Sequence, residues 1–199
     1  MPENIDISQL YETGNKKFFA AELKKDGTYG AKTYHEGLME ISIEFTQEIT
    51  EIGADDNPAY ITLASPMLGE GTVKFAVLPY DIYSKFFNVT TDKNGAVVIS
   101  AKGKPKLVAF GYCSQVGDGS ESMFTLYKAT FTIPSLNSIS YDGKTIRDLT
   151  LNVKTYPYDY KDTANKPQQA TYTIINSENN KDIWDDVQDA VYIPDGTVV

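Results

Sequence analysis

"LMEISIEFTQEITEI", residues 38–52, repeats with a period close to two. After Leu38, the residues Met39, Ile41, Ile43, Phe45 and Ile49 fall on one side, and Glu40, Ser42, Glu44, Thr46, Glu48 and Thr50 on the other. That alternation is the mark of a half-buried β-strand, because successive side chains point to opposite faces. It predicts one long strand over 38–51, with the apolar set in a core and the glutamates outside. The outer face carries no basic residue of its own. Outward neighbours on one strand stand roughly 7 Å apart, so the repulsion is weak but all of one sign. Two explanations are open. Lysines on adjacent strands, such as Lys74, Lys128 or Lys154, pair across with the glutamates, or the face is built to lie against something negative without sticking to it.

Working outward, residues 1–16 read as an N-terminal arm and 17–178 as one β domain; 179–199 read as a C-terminal arm that starts as a helix around Trp184, with Ile183, Val187, Ala190 and Val191 on one side. "KKFFAAELKKDGTYG" gives a short strand and a turn at Asp26-Gly27. "GADDNPAYITLASPMLGEG", 53–71, reads as a long connection rich in Pro and Gly, the kind that in compact domains is functional or mobile. "TVKFAVLP" alternates as a strand. "YDIYSKFFNV", 80–89, changes to helical spacing at Ile82, Tyr83, Phe86 and Phe87, with Pro79 before it. Asn94-Gly95 marks a hairpin. Strands are predicted over 105–120, 122–133, 149–158 and 170–176. The expected class is mainly β, a mostly antiparallel sandwich or barrel with a packed helix, a long loop and extended arms.

Composition narrows the function. The chain has 199 residues, enough for an ordinary core, with 14 Tyr and 9 Phe but 1 Trp. Tyrosine favours half-buried pleated surfaces with one wet side. One cysteine rules out an internal disulfide, and one cysteine with one histidine rules out ordinary zinc sites. A net charge of −9 disfavours binding to nucleic acid phosphates or anionic membranes on average. No stretch reaches the length of a membrane span and no signal peptide is read at the start, so synthesis in the cytoplasm is expected.

Catalytic constellations are missing from the sequence. His35, the lone histidine, reads as a surface or strand-edge residue, and Cys113, within "LVAFGYCSQV", as an inert packed thiol. Asp55-Asp56 and Asp185-Asp186 are carboxylate pairs, but adjacent residues point apart and neither fits a calcium loop. "KDGTYG" and "GDGS" are turns rather than phosphate loops, since no Gly-Lys-Ser/Thr follows. No enzyme, metal or cofactor is expected.

The order of the segments resembles a known family. "ADDNPAY" after the first long strand, the strand-then-helix "GTVKFAVLPYDIYSKFF", and the run "VAFGY…DG…FTLYKATFTIP" together look like the major tail proteins, or tail tube proteins, of bacteriophages with long non-contractile tails. The resemblance covers roughly residues 35–157. It implies a structural virion protein, made in the host cytoplasm and resident in the tail, forming hexameric rings that stack into a tube. DNA would pass through the lumen during ejection without specific binding. The implied partners are further copies of the chain, with the tape measure, tail terminator and tail tip proteins, and no membrane. Under that resemblance Glu40, Ser42, Glu44, Thr46, Glu48 and Thr50 face the lumen, and Asp55, Asp56, Pro58, Tyr60 and Met67 make ring-to-ring contacts. Lys74, Lys128 and Lys154 depart from a purely acidic lining if they share that face. Other readings are a carbohydrate- or receptor-binding β-sandwich, suggested by the tyrosines, an acid-pair hydrolase, and the tube protein of a contractile or secretion system.

Overall fold

The computed structural model describes residues 12–54, 56–76, 86–87, 89–99, 104–132 and 149–198. The chain is mainly β, with antiparallel sheets and, among the described residues, one α-helix of more than a single residue. The principal sheet runs β2 (Thr33–His35), β1 (Glu12–Glu22), β9 (Val108–Val116), β10 (Glu121–Thr132), β11 (Leu149–Thr155), β6 (Leu68–Phe75), β3 (Leu38–Thr46), with β14 (Tyr172–Asn176) also paired to β10. Three hairpins stand apart from it: β4 (Ile49–Ala54) with β5 (Asn57–Ala64), β7 (Val89–Thr91) with β8 (Val97–Ile99), and β12 (Tyr158–Lys161) with β13 (Pro167–Ala170). The helix, α1, spans Lys181–Asp189.

Two central strands are buried on both faces, which explains their near-continuous apolar runs. On β1, Phe18 and Ala20 enter one core while Phe19 and Ala21 enter the layer opposite. β9 divides likewise, Val108 and Phe110 against Ala109 and Cys113. The larger core gathers Phe75, Phe86, Phe131, Val73, Leu151 and Val153, with Phe86 stacked on Phe131 at a centroid separation of 4.3 Å. β10 pairs with β9 on one side. On the other it pairs with β14 through Ser122–Leu126 and with β11 through Ala129–Thr132, changing partner at an irregular step between Leu126 and Ala129. A bulge there bends the strand so that one element can serve two neighbours.

The strand expected over 38–51 is broken. β3 ends at Thr46, and Gln47 and Glu48 form a corner before β4. The stretch 53–71, expected to be a long loop, is the rest of a β-hairpin followed by the start of β6. Of the apolar set expected in the core, Ile41 and Ile43 pack against it, but Met39, Phe45 and Ile49 are exposed. Met39 falls at a register break between Leu38 and Glu40. Phe45 lies at the open end of the core, its ring 5.4 Å from that of Tyr172. The helix read over 80–89 falls mostly outside the described residues; Phe86 and Phe87 are described and buried.

Neither arm survives where the structure describes it. Residues 12–16 belong to β1 and register against β9. The C-terminal segment folds back: α1 buries Val187, and Val191 and Ile193 are buried beyond it. The Asp195-Gly196 turn then closes a bridge between Tyr192 and Val198. Lys32 holds the helix end. Its ammonium donates to the Val187 carbonyl at 2.6 Å and sits 3.9 Å over the Phe19 ring. The last turn of α1 has no basic residue of its own, so a cation from another segment meets its carbonyl end. Tyr34 hydroxyl donates to the Gln188 carbonyl beside it.

Candidate functional site

The registers of β3, β6, β11 and β10 place side chains in rows across four strands. On the inner face Ile41, Val73 and Leu151 share one row, and Ile43, Gly71, Val153 and Phe131 the next. On the outer face the rows are Glu40–Lys74–Thr150, Ser42–Thr72–Asn152–Thr132 and Glu44–Glu70–Lys154–Thr130. β3 sits unusually close to β6, because a Cβ on Gly71 would run into the Ser42 carbonyl and the Ile43 backbone.

The outer face is polar except at the exposed Leu68, opposite Thr46, and it is not purely acidic. Three carboxylates, Glu40, Glu44 and Glu70, share it with two ammonium groups, Lys74 and Lys154. Glu40 lies directly opposite Lys74. Glu44 lies opposite Glu70, a like-charge pair that Lys154 relieves through an ion pair with Glu70 at 2.7 Å. That ion pair holds the Lys154 ammonium above its ordinary value. The open choice between cross-strand pairing and a one-signed face is thus resolved largely toward pairing. Lys128 falls in the irregular stretch of β10, outside the paired registers.

Of the six residues expected at a lumen, Glu40, Ser42, Glu44 and Thr46 share the outer face of β3, and all are exposed. Glu48 and Thr50 do not join them. Glu48 sits in the corner, where its N–H donates to Ser65 Oγ at 2.9 Å and its carbonyl accepts from Ser65 N–H at 2.8 Å. Gln47 Nε2 adds a third bond, to the Ser65 carbonyl at 2.8 Å. These bonds fasten the base of the β4–β5 hairpin and start a new alternation beyond it.

On the hairpin, cross-strand partners share a face. Thr50 with Leu63 and Ile52 with Ile61 lie on one side; Ile49 with Ala64 and Glu51 with Thr62 lie on the other. Thr50 therefore lies with Ile52, Ile61 and Leu63, and the exposed Ile49 lies on the opposite side with Glu51. Asp56 occupies the tip in a left-handed conformation, φ 62°, just before Asn57, which pairs with Ala54. Of the residues expected at ring-to-ring contacts, Asp56 is at this tip, Tyr60 is exposed on the side of Thr62, and Met67 is near the base. Pro58 is part of β5, and Asp55 lies outside the described residues. They are spread from tip to base rather than gathered.

The remaining polar candidates have structural places. His35, expected at the surface or a strand edge, is on the terminal strand β2 but buried beside Phe18. Cys113 is buried, and burial pushes its thiol up to about 11. Asp185 and Asp186 are exposed on α1. Lys32, which sequence reasoning passed over, is the most perturbed cation described; burial brings its ammonium down to about 8. Nothing in "YGAKTYHEG" signals this, since its neighbours come from β1, β10 and α1. No family model matches the chain, and no curated protein matches it.

Proposed function

We propose that the chain is a structural subunit of a phage tail tube: copies close into rings, the rings stack, and DNA moves through the bore. The observation that carries this reading is the β3 end of the principal sheet. Among the described residues β3 pairs on one side only, with β6, while β3 and the three strands behind it present a mostly polar face, exposed to half-buried and interrupted at Leu68. An open edge nine residues long invites further pairing, and a barrel closed by several copies removes such edges. The polar rows would then line the bore. Their hydroxyls, amide and mutually paired charges present no cluster of unpaired ammonium groups on which a polyanion would lodge.

The hairpin supplies the stacking contact in this reading. Heterologous contacts that do not close generate an open filament. Tape measure, terminator and tip proteins follow as partners from the family resemblance. Electron microscopy of the purified protein, alone and at raised concentration, tests the assignment. Rings or hollow tubes are expected. A protein that stays monomeric at all concentrations overturns it.

A further inference from the structure

We infer that the cleft between the start of β1, the end of β2 and the end of α1 binds a small zwitterion, an amino acid with an apolar side chain, its carboxylate toward Lys16 and Gln188 and its ammonium toward Glu36. Such binding is independent of the tube reading. The cleft has a volume of about 560 Å³, within the range of small-molecule sites. Three segments far apart in sequence build it: residues 15–17, residues 34–38 and Gln188. The Tyr34 hydroxyl donates to the Gln188 carbonyl and so joins β2 to the end of α1. On the β1 side the strand shifts register against β9 twice, between Thr13 and Asn15 and between Lys16 and Phe19. Lys17 lies in the second shift at φ 51°, a left-handed value uncommon outside glycine. Bulges of this kind recur beside active sites, where they re-aim side chains.

The ionic groups decide the ligand. Lys17 is paired with Glu121 at 3.0 Å. Lys16 instead donates to a neutral amide oxygen, Gln115 Oε1, at 3.0 Å, and has no carboxylate partner among the described residues. Glu36, exposed next to the left-handed Gly37, has no cationic partner among them. The cleft thus carries an uncompensated cation from β1 and an uncompensated anion from the β2–β3 link. A ligand with a single charge would satisfy one and be repelled by the other, whereas a zwitterion satisfies both. Gln188 adds a directional donor. Its Nε2 is buried and has no partner among the described residues. A donor left so costs free energy, which an incoming acceptor restores. A carboxylate has about four lone-pair sites, enough to accept from the Lys16 ammonium and this N–H together. Leu38, half-buried, and the Tyr34 ring give the body of the ligand an apolar contact, and Asn15 and the buried His35 complete the lining.

Saturation-transfer NMR reads weak ligands on single copies and on assemblies alike. Three probes of one skeleton test the site: L-leucine; isocaproate, which lacks the amino group; and isoamylamine, which lacks the carboxylate. Leucine is expected to bind, and each truncated probe about tenfold more weakly. Glu36→Gln should weaken leucine about tenfold and leave isocaproate unchanged or tighter. Lys16→Gln should weaken leucine and isocaproate but not isoamylamine, and Gln188→Leu should do the same. Lys16 and Glu36 are exposed, so their variants are expected to keep the wild-type circular dichroism. No transfer to leucine overturns the inference. So does isocaproate that binds as tightly as leucine, or transfer to all three probes that Lys16→Gln and Glu36→Gln leave unchanged. None of these results bears on whether the chain forms rings or tubes.

Discussion

Replacing Lys32 with methionine should change how stability depends on pH, by an amount the structure sets. The ammonium contacts the Val187 carbonyl, the Phe19 ring and, at 3.2 Å, the Met123 sulfur. The titratable groups facing it are Cys113 on β9 and Asp189 on α1. Burial brings its pKa from 10.5 to about 8, against the pull of both. The unfolded chain thus holds this proton more tightly than the folded one. The penalty is fully present below about pH 8, fades as pH rises and is gone above about 10.5. A displacement of this size corresponds to about 3 kcal/mol. Methionine keeps the length of the stem and has no proton to lose. The stability of the wild type minus that of Lys32→Met should therefore rise by about 1.4 kcal/mol per pH unit above pH 8. The thiol of Cys113, pushed up to about 11, and the hydroxyl of Tyr34, pushed up to about 12, act in the opposite sense, but both proteins carry them and the difference largely removes them. Urea unfolding followed through Trp184, the single tryptophan and a residue of α1, reads the difference at intervals from about pH 7 to 9.5. A gap that stays constant across that range refutes the reasoning.

Other outcomes follow from the same contacts. Phe131→Ala removes the ring stacked on Phe86 and edge-on to Phe110, and should lower stability by about 3–5 kcal/mol in urea unfolding. Gly71→Ala drives a methyl group into the Ser42 carbonyl and should destabilise by at least about 1–3 kcal/mol, with amide exchange rising first in β3. On the proposed function, Glu40→Lys, Glu44→Lys and Glu70→Lys together leave five ammonium groups on the outer face. Phage carrying that triple variant should assemble tails but eject DNA more slowly, and an unchanged ejection rate would reject a lining role for this face.

Much of the sheet was readable because its signals are local. The strands read over 105–120 and 122–133, either side of the "GDGS" turn, are β9 and β10, which pair with each other across that turn. The helix around Trp184 was readable from its spacing. The failures have long-range causes. The two-residue period lapses only at Gln47, which falls on the apolar side, and resumes at Ile49; that single residue does not reveal that Ser65, 17 residues on from Glu48, takes hold of it and turns the chain. The Pro and Gly content of 53–71 reads as a loop, yet Pro58 lies in β5, which pairs only with β4 among the described residues. The polar stretch after Tyr160 likewise conceals the β12–β13 hairpin, whose turn is held by Asp162 accepting from the N–H groups of Ala164 and Lys166. The C-terminal residues read as an arm because their burial depends on Lys32 and on β1, far away in sequence.

The misreadings also bear on assembly. Had 38–51 been one straight strand, Glu48 and Thr50 would have extended the polar face, and the chain would have presented only an open edge. The corner instead divides two tasks between two pieces. β3 keeps its polar side outward and its apolar side on the core, so it is stable in a single copy. The hairpin is exposed on both of its sides among the described residues. On the proposed function, folding of the body and covering of the hairpin are separate steps, the second coupled to association. Assembly then satisfies hairpin and edge together only where several copies meet, so growth on an existing ring is favoured over the start of a new one.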